Sequence, residues 1–242
     1  MVTKPRTLWT FYVAMACVAA LIAVIGFSRR YFLPLAAGTF DAPAIVHLHG
    51  IITFAWIAFV ILQSVMVATG RTSIHRSLGM GGIALGTLLV FTATEIAMML
   101  LARELKVGGP STREFVATLL SIILLIAGLF GSAIANVNRP ETHKRLMILA
   151  TFVILTPALA RIIQMIDPSL SRLARNDLAG LASDALILIA IVHDLRMRGK
   201  PHPAYVVGGA CILAVQALTL IVRSAPAWHG FTDFLARLVG GG

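Results

Sequence analysis

The chain has 242 residues, of which 58% are hydrophobic and only 12% charged, and its formal net charge at pH 7 is +10. Soluble domains carry about 25% charged residues, so a chain this apolar lacks the polar surface that water requires, and a lipid bilayer is the solvent that fits it. The basic residues lie almost entirely between apolar runs, where they meet anionic lipid headgroups. The net charge therefore does not indicate a nucleic-acid partner.

The apolar runs, in chain order, predict an all-α polytopic bundle of about seven transmembrane helices in one domain over residues 1–242. The first run is too long for a signal peptide, and Arg29 and Arg30 follow it in place of a cleavage site, so we interpret it as a retained helix. A tail at 224–242 is predicted to form a short amphipathic helix in the membrane interface. The predicted spans lie near 8–28, 43–69, 75–102, 114–136, 141–166, 178–194 and 204–223.

Odd and even connections between these spans lie on opposite sides of the membrane. We call the side of the N-terminus the first face, and the opposite side the second face. The short loops at the first face are densely basic, which favours a cytoplasmic N-terminus in a bacterial inner membrane.

Three loops at the first face share the pattern Arg-x-x-x-His. They read RTSIH from residue 71, RPETH from residue 139 and RGKPH from residue 198. The repetition predicts that the helices after the first form three related hairpins.

Four histidines fall at the first face on four different helices, surrounded by basic residues. Histidines at equal depth on facing helices suit a bis-imidazole haem b or a divalent metal ion, and cationic side chains suit haem propionates. We predict His75 and His143 as the leading ligands. The alternative is that the basic residues bind phospholipid headgroups and the histidines cap helices. The candidate cofactor-binding residues are His75, His143, His193, His202, Arg71, Arg76, Lys144 and Arg145.

A second polar layer is predicted near the second face, where His49, Glu95, Arg161 and Asp184 fall at similar depths. His47 and His49 lie two residues apart and do not share a helix face, and we expect His49 to point inward. A histidine with Glu95 and Asp184 would suit a metal ion or a proton relay. The alternative is an intramembrane ion pair of Arg161 with Glu95 and Asp184 that fixes helix packing.

Four motifs occur in order in a pattern that resembles a group of bacterial multi-pass inner-membrane proteins with about seven helices. They are HLHG from residue 47, GRTSIHRSLG from residue 70, THKRLM from residue 142, and DLR from residue 194 with GKPHP from residue 199. The resemblance covers most of the chain beyond the first helix. It implies a polytopic inner-membrane protein and singles out the motif histidines, but it implies no reaction.

Three functions follow from these layers. The leading one is a haem- or metal-binding protein in membrane redox chemistry or its assembly, with membrane redox proteins or quinone as partners. The second is a scaffold or assembly protein without a cofactor, whose polar layers specify helix packing. The third is a proton-coupled transporter whose core is the second polar layer. Whether the chain is an enzyme is left open, because no serine or cysteine shows a base partner.

Overall fold

The computed structural model describes residues 7–107 and 110–240, which are helical apart from short connections and include no strand. The predicted all-α bundle is confirmed. A π-helical segment, Ser28–Phe32, joins the first two helices. The helices are α1 Thr7–Phe27, α2 Leu33–Ala36, α3 Ala44–Ala68, α4 Thr72–Val107, α5 Pro110–Ala135, α6 Pro140–Ile154, α7 Thr156–Ile166, α8 Arg172–Arg198, α9 Pro203–Val222 and α10 Pro226–Gly240.

Six segments of the described chain are long and apolar enough to cross a membrane, and the bent pair α6–α7 is the seventh candidate span. The outer surface of the bundle is apolar: Leu21, Ile51, Leu124, Leu181 and Ile221 are each well over half exposed. Such a surface is stable against lipid tails and not against water. The chain is therefore a multi-pass membrane protein.

Three pairs of consecutive helices, α3–α4, α5–α6 and α8–α9, are joined by short connections at the first face. The first two pairs pack closely, whereas α9 packs mainly against α5 and α6. Helix α1 packs against α3 and α7 and closes the bundle. The predicted hairpins are thus present, while their common origin stays a prediction.

The span predicted over 141–166 is broken at Leu155, where α6 and α7 meet at 40°. The cause is Pro157, which has no N–H to donate to the carbonyl four residues earlier. That carbonyl, on Val153, instead accepts from the Thr156 hydroxyl at 2.9 Å. The neighbouring Phe152 carbonyl accepts from Ser183 of α8 at 3.0 Å, so both groups are satisfied inside the membrane.

Helix α8 is longer at both ends than the predicted span of 178–194. Its start is set by Ser171, whose hydroxyl accepts from the Ala174 N–H at 3.1 Å, and its end by Gly199 in the left-handed conformation at φ 73°. Because the first turns of α8 are polar, hydropathy alone places the start of this helix too late in the chain.

The predicted C-terminal helix is present as α10, while residues 241–242 of the predicted tail lie outside the described residues. It docks at the second face through the Trp228 indole, which donates to the Arg113 carbonyl at 2.8 Å, and through an Arg113–Asp233 ion pair at 2.6 Å. Phe231 and Phe234 remain about half exposed, as the predicted interfacial position requires.

Candidate functional site: a histidine pair at the first face

The structure brings together the two histidines predicted as leading ligands. His75 lies in the first turn of α4 and His143 in the first turn of α6. Their ring centroids are 6.4 Å apart and the ring planes make an angle of 78°. Both side chains are half-buried.

The His143 imidazole of this pair is held by a backbone group. The Nδ1 atom of His143 lies 2.8 Å from the carbonyl oxygen of Ala133, near the end of α5. A carbonyl only accepts, so Nδ1 carries the proton and Nε2 keeps a free lone pair in the neutral ring. The His75 ring has no such bond, since its Nδ1 is buried without a hydrogen-bond partner. Metal-binding histidines are oriented by contacts of this kind, with the second ring nitrogen left for the ligand.

Several buried polar atoms near the histidine pair and deeper along α3 have no hydrogen-bond partner. Both amide atoms of Gln63, Nδ1 of His75 and the indole nitrogen of Trp56 are buried without a hydrogen-bond partner. Gln63 and Trp56 lie seven residues apart on α3 and so share one face. Leaving such atoms unsatisfied costs about 1–3 kcal/mol each, which a bound polar group would recover.

The floor of the site is aromatic. The ring of Trp56 meets Phe130 of α5 edge-on at 5.2 Å between centroids. Gly86 of α4 permits this contact, since a Cβ there would lie 2.5 Å from the Phe130 ring and 2.9 Å from Trp56. This packing sets the depth to which a ligand of the histidine pair could reach.

The basic residues predicted around the histidines divide into two groups. Arg71 and Arg76 are exposed beside His75. Lys144 instead bonds Glu141 at 2.8 Å and lies over the Tyr12 ring, and Arg145 is committed to an ion pair with α8. Successive residues of a helix are rotated by about 100°, so side chains 143, 144 and 145 point in different directions. The prediction that Lys144 and Arg145 surround a cofactor with His143 is corrected accordingly.

The partner of Arg145 is Asp194, which the sequence analysis did not assign to a site. Both side chains are only 1% exposed, and the guanidinium makes two bonds to the carboxylate, at 2.8 and 2.5 Å. Arg145 also bonds Glu141 at 2.7 Å. The position of Asp194 one residue after His193, within a shared motif, was the only available signal.

His202 belongs to this ion-pair network and not to the histidine pair. Its backbone N–H donates to Asp194 at 3.1 Å, and its Nδ1 accepts from the Ala204 N–H at 3.1 Å, which caps α9. Burial lowers the pKa of His202, and the charges of Arg145 and Arg198 lower it further. His202 is thus a helix cap, as the alternative reading of the sequence has it.

His193 lies flat against Phe11 of α1, with ring centroids 3.7 Å apart and planes at 7°. Within residues 7–107 and 110–240, no three His, Cys, Asp or Glu side chains come close enough to hold a metal ion. The other two candidate histidines, His193 and His202, therefore do not complete a metal site with His75 and His143.

The second polar layer is dispersed. His49 points inward, as predicted, and its ring nitrogens lie 3.0 Å from the Thr92 hydroxyl and 3.4 Å from the Thr53 hydroxyl. Glu95 is exposed on α4, and Asp184 accepts from Gln216 of α9 at 3.2 Å. The predicted metal site of His49, Glu95 and Asp184 is therefore not assembled among the described residues.

The predicted ion pair of Arg161 with Glu95 and Asp184 is also not formed. Arg161 donates to the carbonyl of Pro157 at 2.9 Å and stacks over the Phe27 ring at 4.3 Å. Glu95 is exposed on α4 and Asp184 bonds α9, so the three groups meet different parts of the bundle.

A cavity of about 200 Å³ opens beside the break between α6 and α7. Its walls are mainly apolar, with polar groups from Thr118, Thr156, Ser183 and Gln216. Gln216 carries the hydrogen bond to Asp184, whose second carboxylate oxygen is buried and unpartnered. A discontinuous helix beside a cavity is the arrangement in which membrane proteins tolerate irregular backbone.

These features define a multi-pass α-helical membrane protein with a pair of histidines at one end of the bundle, one of which is oriented by a backbone carbonyl. No protein-family model, no curated protein and no solved structure matches the chain. The site itself is thus the basis for assigning a function.

Proposed function

We propose that this chain binds a haem between His75 and His143 and serves membrane redox chemistry or its assembly. The observation that carries the proposal is the spacing of two imidazoles on different helices, with the His143 Nδ1 held by the carbonyl of Ala133. That contact leaves Nε2 as the nitrogen able to bind a metal.

The separation of the rings supports one metal ion between them. A metal–nitrogen bond of about 2 Å, and about 1 Å from that nitrogen to the ring centre, separate two collinear imidazole centres by about 6 Å. The measured centroid distance is 6.4 Å.

The number of available ligands favours haem over a bare divalent ion. A structural zinc site needs four protein ligands and a catalytic one about three, and no third His, Cys, Asp or Glu joins the pair in the described chain. A porphyrin supplies four nitrogens of its own and needs only two axial ligands. Arg71 and Arg76 are exposed and close to His75 in sequence, which supports a role for them in binding the propionates.

The same proposal places the protein in a bacterial inner membrane with a cytoplasmic N-terminus, because the first-face loops are rich in Lys and Arg. The motif resemblance supports that membrane. Electron partners would then be other membrane redox proteins or quinone, which reach a site near the membrane surface.

The test is to express the chain with a haem precursor, purify it in mild detergent, and record oxidised and reduced visible spectra of the wild type and of His75→Ala, His143→Ala and His193→Ala. A Soret band with reduced α and β bands is expected in the wild type and in His193→Ala, which removes a first-face histidine outside the pair. Both pair variants should lose these bands. A wild type without haem, or pair variants that keep the full spectrum, would reject the proposal.

The cavity beside the helix break favours one alternative, a proton-coupled transporter in which Asp184 carries the proton. A carboxyl group inside a span, bonded to Gln216 of the cavity wall and with one oxygen unpartnered, is the feature that supports it. Proteoliposomes with an internal pH dye and an imposed membrane potential would show proton entry that Asp184→Asn stops and Glu95→Gln, an exposed carboxylate, does not. Equal flux in all samples and in protein-free vesicles would reject transport.

A further inference from the structure

Three arginines meet around Gln164 at the second face, opposite the histidine pair. Arg30 lies in the π-helical segment after α1, and Arg175 lies in the first turn of α8. With the amide oxygen turned toward them, Gln164 accepts from Arg30 at 2.8 Å and from Arg175 at 3.1 Å. Arg161 lies one turn before Gln164 on α7.

The close approach of α1 and α7 brings these residues together. A Cβ at Gly26 would lie 2.5 Å from the carbonyl oxygen of Ala158, so only glycine allows the two helices this contact. Phe27, the next residue, lies under the Arg161 guanidinium, and Arg30 follows one turn later, near enough to repel Arg161.

None of the three arginines has a carboxylate partner in the part of the chain that the structure describes. Asp177, on the same helix as Arg175, is already bound by Arg223 through two bonds at 2.7 and 2.9 Å. Asp167, at the end of α7, is occupied by the backbone N–H and hydroxyl of Ser169. The cluster therefore carries uncompensated positive charge.

One neutral amide oxygen is a weak partner for two guanidinium groups. Arg161 and Arg175 are partly buried, whereas Arg30 is exposed. Like charges repel each other most strongly where burial lowers the dielectric, and an opposite charge relieves that repulsion. Guanidinium groups match a phosphate in shape and bind it through paired, charge-assisted hydrogen bonds. We propose that Arg30, Arg161 and Arg175 form a binding site for a phosphate group at the second face.

The phosphate could belong to a phospholipid headgroup or to a phosphate-bearing solute, and two probes separate these sources. The full chain, purified in neutral detergent, is titrated with phosphatidylglycerol in mixed micelles and, separately, with inorganic phosphate, and binding is followed by native mass spectrometry and by thermal stability. Lipid binding alone would identify a headgroup site. Binding of inorganic phosphate would identify a site open to solutes.

The variants are Arg30→Gln, Arg175→Gln and Arg161→Gln. Arg29→Gln is the matched control, because it removes the same charge from an exposed neighbouring residue. Each of the three site variants should weaken binding about tenfold or more, since each loses a charge-assisted hydrogen bond, whereas the control should change it less than about twofold. If Arg161→Gln does not fold, the other two carry the test. A wild type that binds neither phosphatidylglycerol nor inorganic phosphate, or equal weakening in Arg29→Gln, would overturn the proposal.

Discussion

The buried ion pair between Arg145 and Asp194 should dominate the stability of the first face. Both side chains are 1% exposed and share two hydrogen bonds, at 2.8 and 2.5 Å. Removing one partner of such a pair leaves an unpaired buried charge and costs about 3–5 kcal/mol. The cost of Asp194→Asn should lie near the lower end of that range, at about 3 kcal/mol, because Glu141 still pairs with Arg145.

Glu141→Gln is the matched control for this prediction. Glu141 bonds the same guanidinium at 2.7 Å, but its side chain is 41% exposed, so its loss should cost only about 0–1 kcal/mol. The double variant Arg145→Met/Asp194→Leu should recover most of the loss, since it leaves no buried charge behind. The free energies would come from reversible unfolding in mixed micelles of SDS and mild detergent. A cost for Asp194→Asn no larger than that for Glu141→Gln would refute the reasoning.

Three further outcomes follow from single contacts. The pKa of His202 is lowered in the folded protein, so as the pH falls the unfolded chain takes up a proton before the folded chain does. The stability of the wild type should therefore fall as the pH drops below about 6.5. In thermal melts at a series of pH values, the stability of His202→Asn, which keeps a helix cap, should fall less steeply. Gly86→Ala should destabilise by about 1–3 kcal/mol, because its Cβ would lie 2.5 Å from the Phe130 ring, whereas Gly79→Ala, in open space, should be neutral or stabilising in the same assay. Trp228→Phe removes the indole hydrogen bond from α10 to the Arg113 carbonyl of α5 and should speed hydrogen exchange of α10 while leaving α5 protected; unchanged exchange would contradict that role.

The sequence was informative about position along each helix. Hydropathy located the spans, and counting residues from their ends placed His75 and His143 at one depth, where the structure finds them paired. The break at Leu155 was not predicted, although Pro157 inside the predicted span of 141–166 was a signal for it, because a proline there removes a backbone hydrogen bond.

Rotation of each helix about its axis was not readable, because it depends on which helices are neighbours. Counting residues predicted one depth for Glu95, Asp184 and His49, yet Glu95 is exposed and Asp184 meets Gln216 on α9. Asp194 was missed for the same reason: its partner Arg145 is 49 residues away on another helix. The depth of a residue can be counted along a single helix, whereas predicting a contact requires knowing how two helices are arranged.

The most direct test of the haem proposal is imidazole rescue of the ligand positions. His75→Gly and His143→Gly each remove one proposed ligand and leave space for free imidazole, while His193→Gly serves as the control. The account predicts a low-spin haem spectrum in the wild type and control, its loss in both ligand variants, and its return when imidazole is added. A wild type that binds no haem, or ligand variants whose spectra match the wild type without imidazole, would contradict it.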